Sequence, residues 1–184
     1  MDRVANAVFS LLFMLDEKGI SMARVARSAK VSRPWIYKYI ATNKEELIRF
    51  AILCTGKALT ERDKELVVAN RKEFVESILL GMKRMFQNTE QYPFFIPVYF
   101  KYKGTSGIAG QTIDLVEQAY NERQAKLMHS IFKMPNRAAT FSAEMLTTFR
   151  MGLAFNWQRG TLKNKAREDE LLGALQGYFE SLFG

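Results

Sequence analysis

Between Ile20 and Lys44 the chain carries six basic residues, Arg24, Arg27, Lys30, Arg33, Lys38 and Lys44, and no Asp or Glu. Glu45 and Glu46 follow at once, so the acid-free stretch is a bounded block, the footprint expected for contact with phosphate. Charge alone would fit a solvated basic face equally well. The neighbouring aromatics tip the balance, because Trp35, Tyr37 and Tyr39 interleave with Arg33 and Lys38. Three aromatics within five positions cannot share one face of a helix, so at least one must be exposed. A guanidinium can pair with a guanine edge, a ring can pack on a thymine methyl, and a hydroxyl can reach a phosphate. Those are the contacts a major-groove reader needs.

Three short helices must position these groups. The first is expected from about Asp2 to Glu17, stopped by Gly19. Ser21 is a natural N-cap for a second helix, Met22 to about Ala29, on which Val25, Ala26 and Ala29 share one face. After the turn Lys30–Val31–Ser32, Ser32 caps a third helix running to about Ile40, with Arg33 and Pro34 in its first turn, where a missing N–H costs nothing. Ile36 and Ile40 then face inward with Val31, leaving Trp35, Lys38 and Tyr39 outward and Tyr37 near the edge. Two helices joined by a three-residue turn, with small residues on the first, read as a helix-turn-helix.

The stretch ISMARVARSAKVSRPWIYKYIATNKEEL closely resembles the DNA-binding segment of the tetracycline-repressor (TetR) family of bacterial regulators. The likeness is carried by Val25–Ala26, Ala29, Val31–Ser32, Tyr37 and Lys44–Glu45–Glu46–Leu47, and covers roughly the first 50 residues. It implies that Arg33, Pro34, Trp35, Tyr37 and Tyr39 form a base- and phosphate-contacting recognition surface, to which Lys38 adds charge. It also implies phosphate contacts for Ser21, at the start of the second helix, and for Lys44, at the start of the fourth. The sequence departs from the family pattern in several places. Lys30 stands where Gly is usual and Ile40 where Phe is usual, and the connection from Gly19 to Ser21 is short. Pro34 and Trp35 are bulky at reading positions, so no operator can be borrowed from relatives.

Behind this head, apolar residues recur at helical spacing without long period-two alternation, so the fold expected is all-α: an N-terminal helix-turn-helix domain, residues 1–47, and a C-terminal helical domain, 48–184. A fourth helix is expected from Lys44 to the charged stretch Glu61–Glu65, and others over Lys72–Thr89, Thr112–Phe132, Pro135–Arg159 and Glu168–Phe183. A short Pro-containing helix falls within Tyr92–Phe100, and Gly104–Gly107 and Gly160–Lys163 are breaks. Cys54 reads as a small packed hydrophobe, with Lys57 as the only base near it.

The resemblance implies that the C-terminal domain binds a small effector. Met82, Phe86, Tyr99, Phe100, Tyr120, Phe149 and Trp157 are candidate lining residues, suited to a plastic apolar cavity, although a plain core needs the same residue types. It implies as well that the last two helices pair with those of a second subunit. Phe141, Met145, Thr148, Phe149 and Gly152 share one stripe, and Leu171, Leu172, Leu175, Tyr178, Phe179 and Leu182 give the final helix a broad apolar face. A homodimer would present two heads to a palindromic operator in double-stranded DNA.

Composition narrows the alternatives. With 48% hydrophobic residues the chain has no bias towards disorder, and its net charge of +8 matters through placement rather than size. One cysteine excludes an internal disulfide framework and a thiolate metal cluster, which suits a cytoplasmic setting. The apolar run Ala7–Leu15 is too short for a membrane span, and Asp16–Glu17–Lys18 follows where a signal cleavage site would need small residues. His129 is the single histidine, and there is no Gly-rich phosphate loop, HExxH or paired His/Cys spacing. The expectation is therefore a non-enzymatic regulator, a repressor in its simplest form, with no metal, cofactor or membrane partner. The alternative is the same DNA-binding head controlled by a protein partner rather than a ligand.

Overall fold

The computed structural model describes residues 1–60, with side chains to residue 56, together with 68–162 and 167–183. Among the described residues all regular structure is helical. In chain order the helices are α1 (Asp2–Leu15), α2 (Met22–Ala29), α3 (Arg33–Tyr39), α4 (Lys44–Thr60), α5 (Arg71–Gln91), α6 (Phe95–Tyr102), α7 (Ile108–Phe132), α8 (Asn136–Gln158) and α9 (Glu168–Phe183). The expected end of the fourth helix, at Glu61–Glu65, the side chain of Lys57, and Lys163 at the last break lie outside the described residues.

The chain divides into two compact units, Met1–Ala58 with Tyr92–Val116, and Leu59–Gln91 with Glu117–Gly184. Packing is thus partitioned differently from the functional division expected at residue 47, since α6 and the start of α7 belong with the N-terminal helices. In the first unit α1 packs against α2 and α6, and α2 against α3. Val4, Val8, Phe9 and Leu12 make the apolar run of α1 a buried core stripe. Phe9 meets Tyr92 and Phe95 edge-on, with ring centroids 6.3 Å and 5.7 Å apart. Gly56 lets α4 approach α7 closely, because a Cβ there would stand 2.7 Å from Cγ1 of Val116.

Helix α5 runs two residues past the expected Thr89, and the end of α1 and the start of α7 differ from expectation for one shared reason. Helix α1 stops at Leu15, two residues early, where Asp16 takes φ 58° and a short 3-10 turn, Glu17–Gly19, follows. Helix α7 starts at Ile108, four residues before Thr112. The Glu17 carboxylate accepts hydrogen bonds from the amides of Ile108 (3.2 Å) and Ala109 (2.7 Å), so the break in α1 supplies the cap that begins α7.

In the second unit α5 packs against α8 and α9. Phe74, Ile78, Met82, Phe86, Met128, Leu146, Trp157, Leu175 and Phe179 form its core. Among the described residues, no helix is long and apolar enough to cross a membrane.

Candidate nucleic-acid interface

The reading head is assembled by caps that lie close in sequence. The Ser21 hydroxyl accepts from the Arg24 amide (3.3 Å), and Nη1 of Arg24 donates to the Gly19 carbonyl (2.6 Å). Helix α2 ends with Lys30 in the left-handed region, φ 55° and ψ 45°, and with the Val31 amide donating to Ala26 O at 3.0 Å. This is a Schellman-type stop, whose left-handed residue is usually glycine. Lys30 therefore adopts the conformation that glycine would supply, and the turn is kept. The Ser32 hydroxyl accepts from the Trp35 amide (3.2 Å), with Pro34 in the first turn of α3.

Ile36 is fully buried and fixes which side of α3 faces the core. Arg33, Pro34, Tyr37, Lys38 and Tyr39 are exposed, whereas Ser21 and Trp35 are half-buried. Trp35, expected to point freely outward, instead leans on Tyr39 one turn later, with ring centroids 5.5 Å apart and planes inclined at 47°. Lys38 Nζ lies 5.1 Å from the centre of the same Tyr39 ring.

Lys44 is exposed in the first turn of α4. Thr42 and Asn43, which the resemblance does not single out, hold this turn together with Glu46. Asn43 Oδ1 accepts from the Glu46 amide (2.9 Å), and the Glu46 carboxylate reaches back to the Thr42 amide and hydroxyl, both at 2.7 Å. The bonds from Thr42 hold the Glu46 carboxyl below its ordinary range.

A second group of residues, likewise not singled out, ties the head to α6. Lys101 Nζ forms an ion pair with Asp16 at 2.5 Å and donates to the carbonyls of Leu12 (3.1 Å) and Phe13 (2.8 Å). Tyr102 donates to Leu12 O (3.0 Å) and Asp16 Oδ1 (3.2 Å). These bonds satisfy carbonyls at the end of α1 that have no partner within the helix. The hydrogen bond and charge of Lys101 lower the Asp16 carboxyl, while burial and Asp16 push the Tyr102 hydroxyl well above its usual range. No signal local to residues 12–17 could have disclosed partners that lie 86 to 92 residues away.

The candidate effector-lining residues are not all brought together. Tyr99 and Phe100 belong to the first unit, where Tyr99 is buried and Phe100 is half exposed. The other five fall in the second unit. Phe86 and Trp157 are buried and stacked at 4.6 Å, and Met82 is buried in the same core cluster. Tyr120 lies under the Arg150 guanidinium, 5.1 Å from ring centre to Cζ, and Arg150 is itself 3% exposed. Gly81 makes room for that guanidinium, since a Cβ there would stand 2.5 Å from Nη2. Asn121 accepts a buried hydrogen bond from Thr147. A cavity of about 10 Å³, room for about one water, is lined in part by Tyr120, Gln124, Ser77 and Ile78. Phe149 lies instead on an outward stripe of α8 with Phe141 and Met145, all exposed. On α9, Leu175 and Phe179 face inward while Tyr178 and Leu182 are exposed, and Phe149 stacks on Tyr178 at 6.0 Å.

Among the described residues a helix-turn-helix head is followed by helices only, and solved structures of TetR-type transcriptional regulators share this fold. A Clostridium perfringens protein described as a fatty acid metabolism regulator superposes with a TM-score of 0.75 at 12% identity, over 96% of both chains. A TetR-family transcriptional regulator from Streptomyces coelicolor gives 0.67 at 18% identity, over 98% of this chain and 78% of its own. The fatty acid degradation regulator FadR from Bacillus halodurans gives 0.66 at 13%, over 97% and 96%. At these identities the likeness establishes the fold. No protein-family model matches the chain, and no curated protein sequence matches it.

Proposed function

We propose that this chain is a sequence-specific, DNA-binding transcriptional regulator that acts as a repressor. The observation that carries this reading is the outward face of α3: Ile36 is fully buried beneath it, while Arg33, Tyr37, Lys38 and Tyr39 stand in solvent, as does Lys44 at the start of α4. In this reading α3 enters the major groove. Arg33, Pro34, Trp35 and Tyr39 meet base edges, while Ser21, Tyr37 and Lys44 grip phosphates on either side. Residues 1–47 are the DNA-binding domain and 48–184 the regulatory and dimerisation domain, working in the cytoplasm.

The exposed apolar stripe of Phe141, Met145, Phe149, Tyr178 and Leu182 is the homodimer face, because surface of this kind is seldom left bare. Gly152 and Gly173 support it, with no neighbouring atom within 4 Å of where a Cβ would stand. Two heads then read a palindromic site. Control comes from a small hydrophobic effector in the second unit, where Met82, Phe86, Tyr120 and Trp157 would have to part to admit it. Two structural neighbours are described as regulators of fatty acid metabolism and of fatty acid degradation, which makes an acyl compound the first effector to try. The close Phe86–Trp157 stack favours a second reading, in which the core stays shut and a protein partner exerts control.

Selection from a random duplex pool tests the central proposal. Enrichment of an inverted repeat is expected, and a pool that stays random after repeated rounds would contradict it.

A further inference from the structure

We infer that Trp35 and Tyr39 act together as a preformed aromatic ledge that recognises the 5-methyl group of a pyrimidine in the major groove. The inference rests on the proposed docking of α3 and adds the chemistry that its bulky positions read.

The Trp35 backbone is fixed in the first turn of α3, and its ring has an aromatic partner one turn on. Its amide is bonded to Ser32, Pro34 with its fixed φ precedes it, and its ring leans on Tyr39 at 5.5 Å. Tyr39 is 53% exposed and has Lys38 Nζ over its ring at 5.1 Å. Two rings already in contact in the free protein have less freedom to lose on binding than two separate ones. What it offers to DNA is mainly apolar ring surface, with one indole N–H and one phenol hydroxyl at its edges. The thymine methyl is the apolar group that base edges present in the major groove. A ledge of this size therefore discriminates by burying a methyl group rather than by hydrogen bonding. It should accept 5-methylcytosine as well as thymine, and should penalise unmethylated cytosine and uracil.

The experiment uses the duplex that the full-length protein enriches from a random pool, remade with deoxyuridine replacing thymine one position at a time in both half-sites. At one position per half-site the affinity is expected to fall about fifteenfold, because two methyl groups are lost at about fourfold each. With cytosine at that position, 5-methylation should raise affinity by a similar factor. Tyr39→Ala removes an exposed side chain and should keep the thermal melting curve while shrinking the thymine-to-uracil ratio to below about twofold, because Trp35 loses its brace. Equal affinity for the parent and every deoxyuridine duplex would overturn the ledge while leaving DNA binding intact. An undiminished ratio in Tyr39→Ala would overturn the coupling of the two rings. Failure to enrich any duplex would remove the reading on which the ledge rests.

Discussion

The reading head and the core of the second unit are held together by different kinds of contact. In the head, Ser21 bonds to Arg24, Ser32 to Trp35, and Asn43 and Glu46 to each other, all at three residues' separation. In the second unit the principal contacts join residues far apart: Phe74 meets Phe132 and Phe183, and Phe86 stacks on Trp157. Local caps make a small, exact surface from few residues. A nonlocal aromatic core gives cohesion but little surface detail. The two tryptophans fall one to each region, Trp35 in the head and Trp157 in the core, so fluorescence can follow them separately.

The largest expected effect is on the core. Phe86→Ala removes the partner stacked on Trp157 and should cost about 3–5 kcal/mol in chemical denaturation. The emission of Trp157 should shift to the red, read in a Trp35→Phe background. If the loss is under about 1 kcal/mol, the core depends on that stack far less than the contrast requires.

Ile36→Ala should cost about 2–5 kcal/mol and abolish DNA binding, because the buried side of α3 sets the orientation of the exposed one. Affinity that survives this change would mean that the head does not depend on its small core. Ser32→Ala is a milder version of the same test. Losing the cap at the start of α3 should cost about 1 kcal/mol, seen first in Trp35 emission and not in that of Trp157.

Acid should distinguish the regions too. Asp16 and Glu46, in the first unit, both have carboxyls lowered from ordinary values of 3.8 and 4.5. Their contribution is complete above those values and is lost as pH falls through the lower folded ones. Stability of the head should therefore hold from neutral pH to about 5 and decline below about 4. Asp16→Asn should flatten part of that decline in a pH-dependent denaturation series.

Smaller effects sharpen the picture at single positions. Lys44→Ala should weaken binding almost evenly across sequences and reduce the slope of log affinity against log salt by about 1. Lys30→Gly should raise stability by roughly 1 kcal/mol, because glycine takes the left-handed conformation at that position without a steric penalty. No gain in melting temperature would mean that the Lys30 side chain compensates for its backbone.

The same contrast explains what the sequence disclosed. The helix-turn-helix was legible in detail because its signals are local: a serine before each helix, small residues on α2, and Ile36 on the inner face of α3. The expected burial of Ile36 and exposure of Lys38 and Tyr39 match the structure. Trp35 was placed too far outward, since spacing gives the direction of a side chain but not the lean of one ring on another. The early end of α1 and the early start of α7 depend on Glu17 meeting Ile108 and Ala109 across the chain, which no periodicity reports. Likewise, Met and aromatic composition did not tell a packed residue such as Phe86 from an exposed one such as Phe100.

The most direct test of the central claim is hydroxyl-radical footprinting on the enriched duplex. If α3 is the reading helix of a symmetric dimer, two protected patches should appear with their centres about 10 base pairs or a multiple of that apart, and both should vanish with Arg33→Ala. Protection spread evenly along the duplex, or a footprint that Arg33→Ala leaves unchanged, would contradict it.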